Sequence, residues 1–444
     1  MSQAPSSNPL ISNISLEIFH YQPLTPTMDL SSISKVTVPI AYYTLANVAF
    51  SYTLHGSFHT KLISFPIMLW LAVSAFRCAA YWPGEIPTLW GLLMTTWLAH
   101  TNSVLWLEDH SQLSHAKRLQ PSLSSNGGIH ASWLWDNPRL IGTKRSVLAA
   151  RNISKHNHKQ QQQHHSEVHL PTWTLRQLLR LLILVCIFTY QHQIFPGLAM
   201  PLTKADFHPD RESLSRRFFF HSKNGSHSTS AIPFIDAHEL KLRSILAIWW
   251  AAGTYLGLTI CHLALSLLFV VVIRTDKPED WPALFGSMTQ ITSLRAFWSK
   301  FWHKIVVRSY TNYGLFFSRR ILRLRRGSKG EELVVIAAVF FLSGCAHSVV
   351  AWQLGDRCGW GRDVMWFLGN FVGGLVEVVV RKGIERIARV CGQEDVFLRL
   401  RNGSVGRVVG FLWVFLFFFW SVPKWLYPKI DCAIEDALMA QAAR

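Results

Sequence analysis

The sequence predicts an all-α, polytopic integral membrane protein with about eight transmembrane helices and one amphipathic or re-entrant segment. Three observations carry this. Only 16% of the 444 residues are charged while 50% are hydrophobic, whereas soluble domains carry roughly 25% charged residues. The charge is uneven, so that long stretches have none and others are dense in Arg and Lys. The uncharged stretches approach or exceed the roughly 20 residues that a helix needs to cross a bilayer. With a mean hydropathy of +0.19, this pattern excludes a disordered, collagenous or small disulfide-stapled chain.

Taken in order, residues 1–37 are Ser/Pro-rich and lack the apolar run of a cleavable signal peptide, so they are expected to be a flexible N-terminal segment. The expected spans then follow at 38–54 (the weakest), 62–76, 86–107 and 178–190. Residues 245–273 are 29 positions without a charge if His262 is neutral, and 333–354 are 22 if His347 is neutral. Residues 364–380 and 408–423 complete the set. A single membrane-embedded domain is expected over 38–430, with a short C-terminal tail at 431–444. Residues 150–170 hold a His/Gln-rich stretch with no apolar positions to fix ligand distances. It reads as a flexible loop by composition, and no metal site is predicted there.

The net charge of +18 fits nucleic acid, acidic lipid or an anionic ligand, and the location of the charges decides. Residues 295–330 contain ten Arg/Lys and no acid, residues 381–407 seven against three acids, and residues 144–159 five without an acid. With eight spans all three segments fall on one face, which the positive-inside rule makes cytosolic. The basic residues thus line membrane loops and form no soluble groove, so nucleic acid is not an expected partner. Membrane lipid is, with the endoplasmic reticulum as the expected location. Asn13 and Asn224 then lie in lumenal sequons open to glycosylation, whereas the sequons at Asn152 and Asn402 face the cytosol.

Segment 274–332 is charged like a loop yet interleaves Trp281, Phe285, Phe297, Trp298, Phe301, Trp302, Phe316 and Phe317. This reads as an element lying on the membrane or dipping into it. The seven cysteines, at 78, 186, 261, 345, 358, 391 and 432, form no C-x-x-C pair and no disulfide framework.

His347 sits near the middle of the 333–354 span. An ionisable group there is costly and normally faces a cavity. Gly344 and Ser348 are four apart on the same helix, and Ser343 and Ala351 flank the histidine by one turn. Such a small-residue face permits close helix packing or leaves room for a ligand. Position alone leaves open whether His347 acts chemically or only bonds a neighbouring helix. His303 lies in SLRAFWSKFWHK, a basic aromatic context that by itself favours an interfacial anchor. His100 and His262 also lie in spans, with nothing to distinguish them from packing histidines. No G-x-S-x-G elbow, P-loop, H-E-x-x-H or H-H-x-x-x-D motif is present.

Two stretches resemble the wax synthase-like branch of the membrane-bound O-acyltransferase family, in its fungal terpenoid or meroterpenoid O-acetyltransferase form. One is Trp281-Pro282-Ala283-Leu284-Phe285-Gly286, then Ser293-Leu294-Arg295-Ala296-Phe297-Trp298 and Trp302-His303. The other is Phe340-Phe341-Leu342-Ser343-Gly344-Cys345-Ala346-His347. A weaker match is Asn137-Pro138-Arg139-Leu140-Ile141-Gly142-Thr143. The diagnostic part covers about residues 280–355. The chain departs from the family pattern at Ser299 and Leu140, where glycine is common.

The resemblance implies acyl transfer from acyl-CoA, acetyl-CoA foremost, to a hydroxyl of a lipophilic alcohol, with His347 as general base and His303 orienting substrate or stabilising the oxyanion. No permanently bound cofactor is implied. Arg295, Lys300, Lys304 and Arg308, which surround His303 in sequence, become candidates for CoA phosphates, against the alternative that they only set topology. Trp298, Trp302, Ser343 and Gly344 become candidates for the substrate pocket. A long-chain wax or sterol ester synthase is the alternative within this chemistry. A polytopic transporter with His347 as a proton or substrate ligand is the alternative outside it, although no paired halves are visible.

Overall fold

The computed structural model describes residues 31–54, 56–82, 84, 86–108, 169–198, 202–214 and 235–442. Among the described residues there is no strand, and the chain is carried by eight long helices: α1 (Ser31–Leu54), α2 (Phe58–Ala79), α3 (Ile86–Asn102), α4 (Leu170–Leu198), α5 (Ala237–Leu267), α6 (Lys329–Gln353), α7 (Trp360–Val390) and α8 (Ser404–Ala442). They coincide in order with the eight expected spans. Six of them, α2 and α4 to α8, are long and apolar enough to cross a membrane. Helix α3 has 17 residues before a π-helical turn at Ser103–Leu107, and α1 also stands outside that set. Dropping α1 and α3 removes two crossings ahead of every basic segment, so all three segments stay on one face under either count.

Two differences concern the ends. Residues 31–37, expected as flexible, already belong to α1, and residues 431–442, expected as a tail, continue α8. Burial of Ile434 and the Lys204–Glu435 ion pair, 2.6 Å, hold that last stretch against the 204–207 turn. Asn13, Asn224, residues 137–143 and residues 150–168 of the His/Gln-rich loop lie outside the described residues.

Local sequence explains where the helices begin. Ser57 caps α2 through Thr60 N–H at 3.3 Å, Asp236 caps α5 through Glu239 N–H at 2.6 Å, and Ser328 caps α6 through Glu331 N–H at 3.2 Å. Each satisfies a backbone donor that the helix itself leaves unpaired. Helix α2 buries Met68, Leu71, Ala72, Ala75, Phe76 and Ala79, a single face at helical spacing. None of the apolar window of α4 is buried, and Leu175, Leu178, Leu179, Leu182 and Ile183 are exposed. In a bilayer such a surface faces lipid, which is as apolar as the side chains themselves.

The helices pack side by side in the order α1, α2, α3, α6, α7, α8, α5, α4. Inside this arc lies segment 278–321, broken into short turns at Leu294–Ala296, Phe297–Phe301, Val307–Phe316 and Phe317–Ile321. Leu294, Phe297, Phe301, Trp302 and Tyr310 are buried. Irregular backbone at membrane depth is tolerated where protein covers it, so these aromatic residues serve the interior of the bundle, whereas Phe316 and Phe317 stay on its surface. The largest core cluster joins this segment to α5, α7 and α8.

Between helices in lipid, close approach substitutes for hydrophobic expulsion, and three glycines permit it here. A Cβ on Gly286 would stand 2.1 Å from the Lys300 carbonyl oxygen, and one on Gly410 the same distance from that of Thr292. A Cβ on Gly344 would meet Val364 Cα at 2.7 Å. Gly286 also donates its N–H to Phe301 O at 2.7 Å, which pins the aromatic turn to the Trp-Pro motif. Gly286→Ala is therefore expected to destabilise the protein by about 1–3 kcal/mol, the usual cost of overpacking. Thermal unfolding in detergent measures this; an unchanged midpoint would show that the two stretches of backbone can part without cost.

Cys358 and Cys432, 74 positions apart in sequence, form a disulfide with Cα atoms 6.2 Å apart. The sequence showed no pairing pattern because the two are joined only by the packing of α8 against the α6–α7 turn. Helix α7 runs from this disulfide to the basic segment 381–407 at its far end. The disulfide therefore sits at the end of α7 opposite the positive charge.

Candidate active site

His347 lies on α6, half-buried, with its ring stacked on Phe367 of α7 at 5.0 Å between centroids and 30° between planes. The contact exists because α6 and α7 touch backbone to backbone one turn away. Gly344 faces Val364 and the Asp363 carbonyl, and the Ser348 hydroxyl donates to Trp360 O. The small-residue face that the sequence left open between packing and ligand room is thus a packing surface at Gly344 and Ser348. Ser343, on the next position round the helix, bonds its own backbone at Val339 O, 2.7 Å.

His303 follows the buried turn that holds Phe297, Trp298 and Trp302. Ser293 caps that turn by accepting Ala296 N–H at 2.9 Å. Leu294 N–H donates to Glu377 Oε2 of α7 at 2.6 Å, and the same oxygen accepts Trp413 Nε1 of α8 at 2.9 Å. One carboxylate therefore anchors the Ser-Leu-Arg motif to two helices. The His303 ring meets Phe285 edge-on at 5.7 Å and Trp302 at 5.6 Å.

A continuous set of ring contacts links the two histidines. Trp302 packs on Trp298 at 5.5 Å, Trp298 on Phe367 at 6.2 Å, and Phe367 on His347. Trp298 also meets Phe340 at 5.6 Å and donates Nε1–H to Asn370 Oδ1 at 3.2 Å. The structure thus brings His347, His303, Trp298 and Trp302 onto one aromatic cluster. Edge-to-face pairs of this kind fix ring orientation as well as burying area, so both imidazoles sit against rigid walls.

The four basic candidates divide. Arg295 and Lys300 are exposed and Lys304 is half-buried. Arg308 is buried and pairs with Glu108 at the end of α3, whose carboxylate also accepts Asn312 Nδ2 at 2.9 Å. Burial draws the Arg308 guanidinium down to about 10, which leaves it charged at neutral pH. It ties the re-entrant segment to α3, so its charge is already committed within the protein. Tyr313 adds to that joint by donating to Ala99 O at 3.0 Å, with burial pushing its phenol up to about 12. Near the Trp-Pro motif, burial likewise pushes the Asp280 carboxyl up, while Asp276 accepts Trp281 Nε1–H at 3.0 Å.

Sequence reasoning missed several residues of this site. Asn370 and Glu377 are polar positions inside the expected span 364–380, and that expense was itself a signal of a role. Asp363 lies just outside that span, is 1% exposed, and accepts Trp425 Nε1–H at 2.7 Å and Lys429 Nζ at 2.9 Å. Lys429 also reaches Asp356 at 3.4 Å. Trp250 of α5 stacks on Trp302 at 5.3 Å and 19°, one more aromatic in an apolar run until folding places it.

Among known proteins, residues 281–369 match the family model described as Membrane bound O-acyl transferase family. The chain is 32% identical over 201 residues to Acetyltransferase nanB of Aspergillus nanangensis, covering 44% of this chain and 45% of that one. It is 26% identical to Acetyltransferase aurG of Calcarisporium arbuscula over 45% and 47%, and 30% identical to Acetyltransferase TRI7 of Fusarium sporotrichioides over 42% and 42%. The chain thus covers less than half the length of each of these relatives. No solved structure matches it. The segment that carries both histidines, with the motifs at 281–286, 293–298 and 340–347, is thus the part of the chain similar to the membrane bound O-acyl transferase family.

Proposed function

We propose that this protein is a membrane O-acyltransferase that moves an acyl group, acetyl foremost, from acyl-CoA to a hydroxyl of a lipophilic secondary metabolite of the terpenoid or meroterpenoid class. The observation that carries the reading is His347 stacked on Phe367, within the same aromatic cluster that positions His303. In this reaction His347 accepts the hydroxyl proton as the oxygen attacks the thioester carbonyl, the C–S bond breaks, and the imidazolium returns the proton to the leaving CoA thiolate. A general base of this kind acts as the neutral imidazole. His303 orients the reactants or donates to the developing oxyanion. The aromatic walls exclude water, which would otherwise compete for the acyl group. Arg295, Lys300 and Lys304 supply positive charge for the CoA phosphates, with Arg the bidentate partner. The endoplasmic reticulum is the proposed membrane.

The test is an assay of membranes bearing the full chain with acetyl-CoA and a long-chain acyl-CoA in parallel. Acetyl ester should dominate; a strong long-chain preference would replace the reading with a wax or sterol ester synthase. His303→Ala is expected to lower turnover by about 10²-fold, the scale of one lost oxyanion donor. Full activity at equal protein would return His303 to a purely structural role.

A further inference from the structure

Residues 319–332 carry six Arg/Lys against two acids and lead directly into α6, one of the helices long and apolar enough to cross a membrane. Folding commits only part of that charge. Glu331 accepts Arg319 Nε–H on one carboxylate oxygen and Gly327 N–H, at 2.6 Å, on the other. Arg320, Arg323, Arg325 and Arg326 are exposed and form no hydrogen bond or ion pair with another described residue. The turn that presents them is nevertheless fixed. Leu324 N–H donates to Ser318 O at 2.9 Å and Ser328 N–H to Arg325 O at 3.1 Å. Arg323 takes the left-handed backbone conformation, φ 53°, which residues with a Cβ seldom adopt. Behind the turn, a Cβ on Gly314 would stand 3.0 Å from Val335 Cα, so the Val307–Phe316 helix sits directly on α6.

The same turn exposes Phe316, Phe317, Ile321 and Leu322, each between 46% and 58% accessible. The two apolar pairs alternate with the arginines along the chain. In water such side chains would be costly. At the edge of a bilayer they enter the acyl boundary while the guanidinium groups stay at headgroup level. Charge that serves only to orient a span requires neither a fixed turn nor apolar neighbours. A soluble phosphate such as CoA would pair with the arginines and leave the apolar pairs in water. A phospholipid satisfies both, because guanidinium grips phosphate bidentately and the acyl chains cover the apolar side chains.

We propose that turn 316–326 is a docking site for an anionic phospholipid, with Arg320, Arg323, Arg325 and Arg326 on its headgroup and the apolar pairs 316–317 and 321–322 against its chains. Through Glu331 and Gly314 the bound lipid braces the joint between the segment that carries His303 and the helix that carries His347. The proposal is independent of the acyltransferase reading, and its test measures no acyl transfer.

The full chain, purified in a neutral detergent, is titrated in mixed micelles with fluorescent phosphatidylinositol and, separately, with phosphatidylcholine of the same chains. Phosphatidylinositol should bind about tenfold tighter or better, and CoA and inorganic phosphate should compete poorly. Each arginine at an anionic lipid surface contributes about fivefold, so Arg323→Gln with Arg325→Gln should weaken phosphatidylinositol binding by about tenfold or more. Arg320→Gln with Arg326→Gln should do the same, and gel filtration should show both variants folded. Arg386→Gln with Arg399→Gln removes two exposed charges from the other basic segment and should change binding by less than about threefold if the site is local. Equal affinity for the two lipids, or equal loss in all three variants, overturns the proposal. Loss of CoA binding with phosphatidylinositol binding unchanged also overturns it, by assigning the arginines to a soluble anion.

Discussion

Replacing His347 by alanine is expected to lower the proposed acyl transfer by about 10²–10⁴-fold, the usual contribution of a positioned general base. The loss should appear in kcat with little change in KM, because the base acts on the proton in flight and not on ground-state binding. The substitution leaves the Gly344 contact with Val364 and the Ser348 bond to Trp360 O in place, so the α6–α7 joint should survive and protein levels should match the parent. Measuring initial rates against acyl-CoA and alcohol concentration, at equal protein in the membrane, separates the two parameters. Full activity of the alanine variant would remove His347 from the mechanism.

Replacing Asp363 by alanine is expected to destabilise the protein by about 3 kcal/mol, at the lower end for breaking a buried ion pair. Asp363 is 1% exposed and holds Lys429 and Trp425 together, so its removal leaves the ammonium with Asp356 alone. Asp363→Leu combined with Lys429→Met should cost less than the sum of the single changes, because no buried charge is then stranded. Thermal unfolding of the four proteins in detergent gives the cycle; strictly additive shifts would show that the pair is not coupled. Asp363 is followed directly by Val364, against which Gly344 rests, and lies one turn before Phe367, so loosening this end of α7 should also blunt turnover through the His347 stack.

Much of this arrangement could be read along the chain. The positions of the eight long helices followed from uncharged runs, which record locally what a bilayer tolerates. The shared face of the basic segments followed from counting crossings, and survives whether α1 and α3 cross or not. His347 and His303 were singled out by their immediate neighbours: a small-residue turn for one and a basic aromatic run for the other. What local pattern could not decide was which alternative held. The run around His303 looked like an interfacial anchor, yet Phe297, Phe301 and Trp302 are buried, because Glu377 of α7 and the close approach of Gly410 of α8 to Thr292 draw the segment into the bundle. Gly344 was equally consistent with an open pocket and a helix contact, and only the approach of α7 made it a contact.

The sequence by itself thus determined the long helices and the two histidine motifs, since each depends on composition or spacing within a few turns. Tertiary structure alone decided the partners. Cys358 meets Cys432 across 74 residues, Arg308 meets Glu108 across 200, and Lys429 meets Asp363 across 66. Each pairing depends on the order in which helices pack, and that order is set by where backbones can approach closely, not by the hydrophobic pattern that makes them helices.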